Sequence, residues 1–108
     1  MARWLPRILT RGRTLASARK VVFTLKARRE LAALGSGLDE DDACDVLAQV
    51  TAADCAGRIE SAVTGEWMFM FKVSLAQTLL YVKVILRSDC IVLSFHEDEG
   101  AGDEDQEA

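Results

Sequence analysis

Residues 79–97, LLYVKVILRSDCIVLSFHE, decide the fold. Leu80, Val82, Val84 and Leu86 alternate with Tyr81, Lys83, Ile85 and Arg87. Beyond Ser88-Asp89, Ile91, Leu93 and Phe95 alternate with Cys90, Val92, Ser94 and His96. Period-two alternation of this length predicts two half-buried antiparallel strands. A two-residue turn at Ser88-Asp89 sets Arg87 opposite Cys90, Lys83 opposite Ser94 and Tyr81 opposite His96. Opposed side chains have Cβ atoms about 5 Å apart. The only histidine of the chain thus meets its only tyrosine, with Lys83 one step away on the same face.

The strands upstream follow the same rule. Glu66 to Val73 carries Trp67, Phe69 and Phe71 on one face and Met68, Met70 and Lys72 on the other. Burying the aromatics with Leu80, Val82 and Val84 predicts Phe71 opposite Leu80 and Met70 opposite Tyr81. Placing Ile59 inside sets Arg58 opposite Met70. A one-residue slip would turn the Trp67 row into water. The expected sheet is a four-stranded antiparallel meander. Its inner face carries Trp67, Phe69, Phe71, Val82, Leu93 and Phe95. Its open face carries Arg58, Glu60, Lys72, Tyr81, Lys83, Arg87, Ser94 and His96. A row Arg58, Met70, Tyr81, His96 then crosses the sheet over roughly 14 Å, at about 4.8 Å per strand.

Helices precede the meander. Lys20 to Thr24 is a short strand, and Thr24 caps a helix to about Leu34. Asp39 caps a second, Glu40 to about Gln49, with Glu40, Asp41 and Asp42 in its first turn, where the helix dipole favours them. Thr51 to Asp54 reads as a capping box for one more turn. Val46, Leu47 and Val50 form an inward face. Leu5, Ile8, Leu9 and Leu15 suit a short amphipathic helix that Gly12 interrupts. The expected class is α+β, with short helices on one face of a twisted antiparallel sheet. The expected division is a basic segment at 1–19, one domain at 20–98, and an acidic disordered tail at 99–108.

Charge is distributed unevenly. Nine basic residues and no acidic one lie between Met1 and Arg29, and seven acidic residues lie between Glu97 and Ala108. Those seven carboxylates exceed the whole net charge of −4, so the rest of the chain stands at +3. A basic body suits a polyanionic ligand. The Arg-rich start also has the composition of a transit peptide, but it runs straight into patterned structure. No apolar run approaches the roughly 18 residues a membrane span needs. Cys44, Cys55 and Cys90 lack metal-ligand spacing and read as reduced thiols of a cytoplasmic protein. No metal or cofactor is expected.

An imidazole, a phenol and several cations on one face are the parts of a metal-independent ribonuclease. Cleavage through the 2′-hydroxyl needs a base, positive charge on the pentavalent phosphate and an acid for the leaving oxygen. An imidazole titrates near neutrality, so His96 suits either proton transfer. Tyr81 assists it. Arg58, Lys83 and Arg87 are candidates to hold phosphate, and Met68, Met70 and Lys72 to form a rim for a stacked base. Exposed cations on strands also guard sheet edges, and methionines also serve docking surfaces. A plain nucleic-acid-binding module is therefore a rival reading.

Four blocks carry a family resemblance: Ala53-Asp54-Cys55, Gly65-Glu66-Trp67, Leu80-Tyr81-Val82-Lys83 and Val92-Leu93-Ser94-Phe95-His96-Glu97-Asp98. With them the chain, from about Thr24 to Glu97, resembles the MqsR-type toxins of bacterial type II toxin–antitoxin systems. The resemblance implies a RelE-like fold, an mRNA interferase activity that arrests growth, and a cognate antitoxin encoded nearby. Partners would be mRNA and that antitoxin, in a heterocomplex or alongside a homo-oligomer, with no membrane. Of the site positions it implies, the strand tyrosine is kept as Tyr81. His96 stands where a lysine is expected, Met68 where a glutamine is expected, and Gly57, followed by Arg58, at another lysine. Those departures leave a second implied reading, a catalytically weak or inactive regulatory protein on the same scaffold.

Overall fold

Apolar spacing and caps place the helices where the sequence predicts, and the strands settle their own register. The computed structural model describes residues 2–98. Helix α1 is Leu5–Ser17, strand β1 Val21–Phe23, helix α2 Leu25–Ala33 and helix α3 Glu40–Ala48. A 3₁₀ turn at Ala52–Asp54 leads into β2 Cys55–Glu60, β3 Trp67–Leu75, β4 Thr78–Leu86 and β5 Cys90–Glu97. The sheet order is β1-β5-β4-β3-β2. β1 runs parallel to β5, and the other neighbours are antiparallel. The fold is α+β, as expected, and the short strand expected at Lys20 to Thr24 forms as β1 and joins the four-stranded meander beside β5. The expectation of a tail at 99–108 lies outside the described residues.

Gly12 does not break α1. Pro6 falls in its first turn, where a missing N–H costs little. Leu5, Leu9, Leu15 and Ala16 are buried in the core, so residues 1–19 are not a segment ahead of the domain but partly its interior. The helix ends with Arg19 in the left-handed region (φ 61°). Its N–H reaches Ala16 O, and the N–H of Lys20 reaches Leu15 O at 2.8 Å, a Schellman closure. Arg19 is held there by Asp41 at 2.8 Å and Asp45 at 2.9 Å. Thr24 caps α2 by accepting from Ala27 N at 3.1 Å. Asp39 and Asp42 form a reciprocal capping box on α3. Leu47 and Val50 are buried and Val46 is half-buried.

All three helices cover one sheet face. Phe69, Phe71, Leu80, Val82, Val84, Val92 and Phe95 are buried there with Phe23, Leu31 and Leu47. Trp67 lies on this face, as predicted, but is 42% exposed.

Three predicted pairings are corrected. Between β3 and β4, Phe71 faces Val82, Met70 faces Lys83 and Lys72 faces Tyr81. The faces are as predicted, but the strands slide by two residues. Ala76 and Gln77 (φ 50° and 69°) make the tight two-residue turn between Leu75 and Thr78 that sets this register. Between β2 and β3, Gly57 faces Met70 and Arg58 faces Phe69. Here the slip is a single residue, caused by a bulge between Cys55 and Gly57. Gly57 adopts φ 117°, open to glycine and strained for other residues. Arg58 and Glu60 therefore belong to the helix-bearing face, and the predicted row Arg58, Met70, Tyr81, His96 does not form.

The third correction lies in the opening hairpin. Leu86, not Arg87, faces Cys90, so the turn is Arg87-Ser88-Asp89. A bulge at Leu93 then adds one residue to β5, because Val84 faces Val92 while Lys83 faces Ser94. The bulge offsets the longer turn. Lys83–Ser94 and Tyr81–His96 face each other as predicted. Val92 and Leu93 exchange roles: Val92 is fully buried and Leu93 half-buried.

Candidate functional site

The site lies on the sheet face without helices, at the end of β4 and β5 away from the Arg87 turn. Its centre is a stacked pair, Tyr81 and His96, with ring centroids 5.2 Å apart and planes at 28°. His96 Nδ1 is 2.8 Å from the carbonyl oxygen of Glu97. A carbonyl only accepts, so in this contact Nδ1 is the donor, and the second ring nitrogen, Nε2, is not engaged by it.

Lys83 lies next along this face, opposite Ser94 and Met70. Lys72 lies beside Tyr81 on the other side. The expected open surface is not open at its centre: Tyr81 is 3%, Lys83 7% and Ser94 2% exposed. Side chains from the rim converge over it. Lys72 Nζ reaches Asp98 Oδ2 at 3.5 Å, a pair that spans β4. The Asp98 side chain is 5% exposed. Its Oδ1 has no hydrogen-bond partner among the described residues, an uncompensated buried acceptor. From the other side Lys26 Nζ, on α2, donates to Ser94 Oγ at 3.0 Å.

The structure thus gathers His96, Tyr81, Lys83, Lys72 and Met70, with Met68 two residues before Met70 on β3 and opposite Ile59 of β2. It does not bring Arg58 or Arg87 to them. The Arg58 guanidinium is held between two indoles, 3.8 Å from the Trp67 centroid and 4.8 Å from that of Trp4. Trp4 also packs on Phe69 at 5.6 Å. The arrangement ties the start of α1 to the edge strand β2 from the helix side. Arg87 lies six residues from Tyr81 along the chain, roughly 20 Å at strand rise. It pairs with Glu66 through two bonds, 2.8 and 2.6 Å. Those bonds pull the Glu66 carboxyl down to about 2 and raise the Arg87 guanidinium.

Sequence reasoning missed Lys26 and Asp98. The spacing of Lys26 and Glu30 announces an i,i+4 pair, yet nothing in it tells that the pair docks on residues 94 and 95. Among the described residues no group of three or more His, Cys, Asp or Glu side chains is gathered as for a metal. Among them no helix is long and apolar enough to cross a membrane.

No curated protein matches the chain. The profile of the family described as "Motility quorum-sensing regulator, toxin of MqsA" matches residues 9–97. The match begins within α1, well ahead of Thr24, in keeping with the part α1 takes in the core. With its helix-covered sheet intact over that whole span, the chain belongs to the family of MqsR-type toxins of toxin–antitoxin systems.

Proposed function

We propose that this toxin is an endoribonuclease acting on mRNA through the face around His96. The observation that carries the reading is the Tyr81–His96 stack with Nδ1 committed to the Glu97 carbonyl. In this reading Nε2 of His96 takes the proton of the 2′-hydroxyl. The oxygen attacks the adjacent phosphorus, and the 5′-oxygen leaves with a proton returned by a general acid. Tyr81 fixes the plane of the imidazole. Lys83 and Lys72 supply positive charge for the pentavalent phosphate. Met68 and Met70 offer a soft rim for a base. The arginines of α1 add salt-dependent, sequence-independent affinity for RNA. No cofactor is required. The partner that neutralises the toxin is a cognate antitoxin of the MqsA kind, and the setting is the bacterial cytoplasm.

His96→Ala tests this. His96 lies outside the hydrophobic core cluster, so the variant should fold. Cleavage of an mRNA substrate should fall by about 10²–10⁴, the usual share of one general acid–base group, and growth arrest on expression should vanish. Cleavage at the wild-type rate would remove His96 from the mechanism.

A second reading is favoured by the burial of Tyr81 and Lys83, at 3% and 7% exposure. On that reading the scaffold binds its antitoxin tightly and leaves RNA intact. Purified protein that binds the antitoxin at nanomolar affinity yet yields no RNA fragments would establish it over the first.

A further inference from the structure

Strand β1 ends at Phe23, opposite Val92, so among the described residues no strand pairs with the outer edge of β5 from Leu93 onward. Helix α2 takes its place. Glu30 Oε1 accepts the N–H of Phe95 at 2.9 Å, capping an edge donor as a neighbouring strand would. Glu30 Oε2 pairs with Lys26 Nζ at 2.8 Å, one helical turn earlier. The same Nζ donates to Ser94 Oγ at 3.0 Å. The backbone of β5 thus fixes Glu30, and Glu30 and Ser94 together fix the ammonium.

Three features fit this ammonium to a phosphate. It has three N–H donors, of which Glu30 and Ser94 take two, leaving one among the described contacts. Its side chain is 53% exposed, whereas Lys83 is 7% exposed. Finally, it sits on Ser94. Ser94 and His96 are alternate residues of one strand face, with Cβ atoms about 7 Å apart. One phosphate, with a hydrogen bond at each side, bridges such a gap. With Arg58 and Arg87 committed elsewhere, Lys26 is the accessible cation on the β5 side of His96.

We propose that Lys26 is a phosphate-binding residue of this site, holding the backbone of an RNA strand beside His96. The assignment rests on the reading that this face takes RNA. The test therefore separates binding from cleavage. The probe is a single-stranded 2′-deoxy oligonucleotide, which has no 2′-hydroxyl to react, and its affinity is measured by fluorescence anisotropy over a range of salt concentrations. Lys26→Ala should weaken binding about tenfold at 0.1 M salt. It should also make the dependence of log K on log salt shallower by about 0.7, the value of one single-strand phosphate contact. Lys26→Arg should restore both. Glu30→Gln keeps an acceptor for Phe95 N–H but removes the competing charge, so it should tighten binding severalfold.

An unchanged salt dependence in Lys26→Ala overturns the proposal. So does a loss of affinity in Lys26→Ala and Glu30→Gln alike that merely follows their melting temperatures, because that is the mark of a structural tie. The failure of the nuclease reading looks different. Wild-type protein that binds the probe through Lys26 but cuts no RNA keeps the phosphate site and loses the chemistry. Protein that cuts RNA through His96 with binding indifferent to Lys26 loses the phosphate site alone. Absence of any binding by wild type overturns both.

Discussion

Replacing Arg58 by alanine separates a structural clamp from an RNA contact. The Arg58 guanidinium carbon stands 3.8 Å from one indole centroid and 4.8 Å from another. One of those rings, Trp67, is 42% exposed, so the value for exposed sites applies. A cation–π contact of this kind contributes about 0.5–1 kcal/mol. Two of them together contribute about 1–2 kcal/mol. In a domain of this size 1 kcal/mol moves the thermal midpoint by about 4 °C, so Arg58→Ala should lower it by about 4–8 °C. Arg58→Lys keeps the charge but not the planar stacking and should recover only part of the loss. Thermal melting followed by circular dichroism and by tryptophan fluorescence gives both numbers. Below its midpoint, the alanine variant should cleave and bind RNA as wild type does. The reasoning is refuted if the midpoint does not move while RNA affinity falls tenfold and its salt dependence becomes shallower. That result would return Arg58 to the phosphate role that strand alternation suggests.

Two further outcomes follow from the titrating groups. Glu66 is held at about 2 by Arg87, below its ordinary value. Its contribution to stability is therefore complete above about pH 4.5 and is lost as pH falls from there through about 2. Denaturation midpoints of wild type and Arg87→Ala should differ at neutral pH and converge across that window; a constant gap would refute the assignment. Burial pushes the Cys90 thiol up to about 12 and also raises Cys44. A raised thiol stabilises the fold fully below the ordinary thiol value and loses that contribution as pH rises from about 9 through 12. A thiol reagent at pH 8 should label half-buried Cys55 first and reach Cys44 and Cys90 only on unfolding. Rapid labelling of Cys90 in the native protein would contradict its burial.

Local patterns were readable because their physics is local. Thr24, Asp39 and Thr51 announce helical turns through hydrogen bonds spanning three residues. The parity of β3 and β4 follows from burying Phe69 and Phe71. The Tyr81–His96 pair was legible too, though by way of two deviations that cancel: a three-residue turn and a bulge at Leu93. Where only one deviation occurs, as at Gly57, the same arithmetic puts Arg58 on the wrong face. A bulge costs little locally, so alternation alone does not reveal it.

What the sequence determined by itself is the α+β class, the helix caps, the inward side of β3 and β4, and the meeting of the lone histidine with the lone tyrosine. Each depends on spacing within an element or across one short turn. The sequence also placed Lys83 and Lys72 on their face; tertiary structure alone decided where the other cations go. It drew Arg58 between Trp4 and Trp67, bound Arg87 to Glu66, and brought Lys26 from 68 residues away onto Ser94. The reason is physical: charge carries no periodic signal. A cation's place is set by the partner that best compensates its lost hydration, and that partner is known only once the chain has folded.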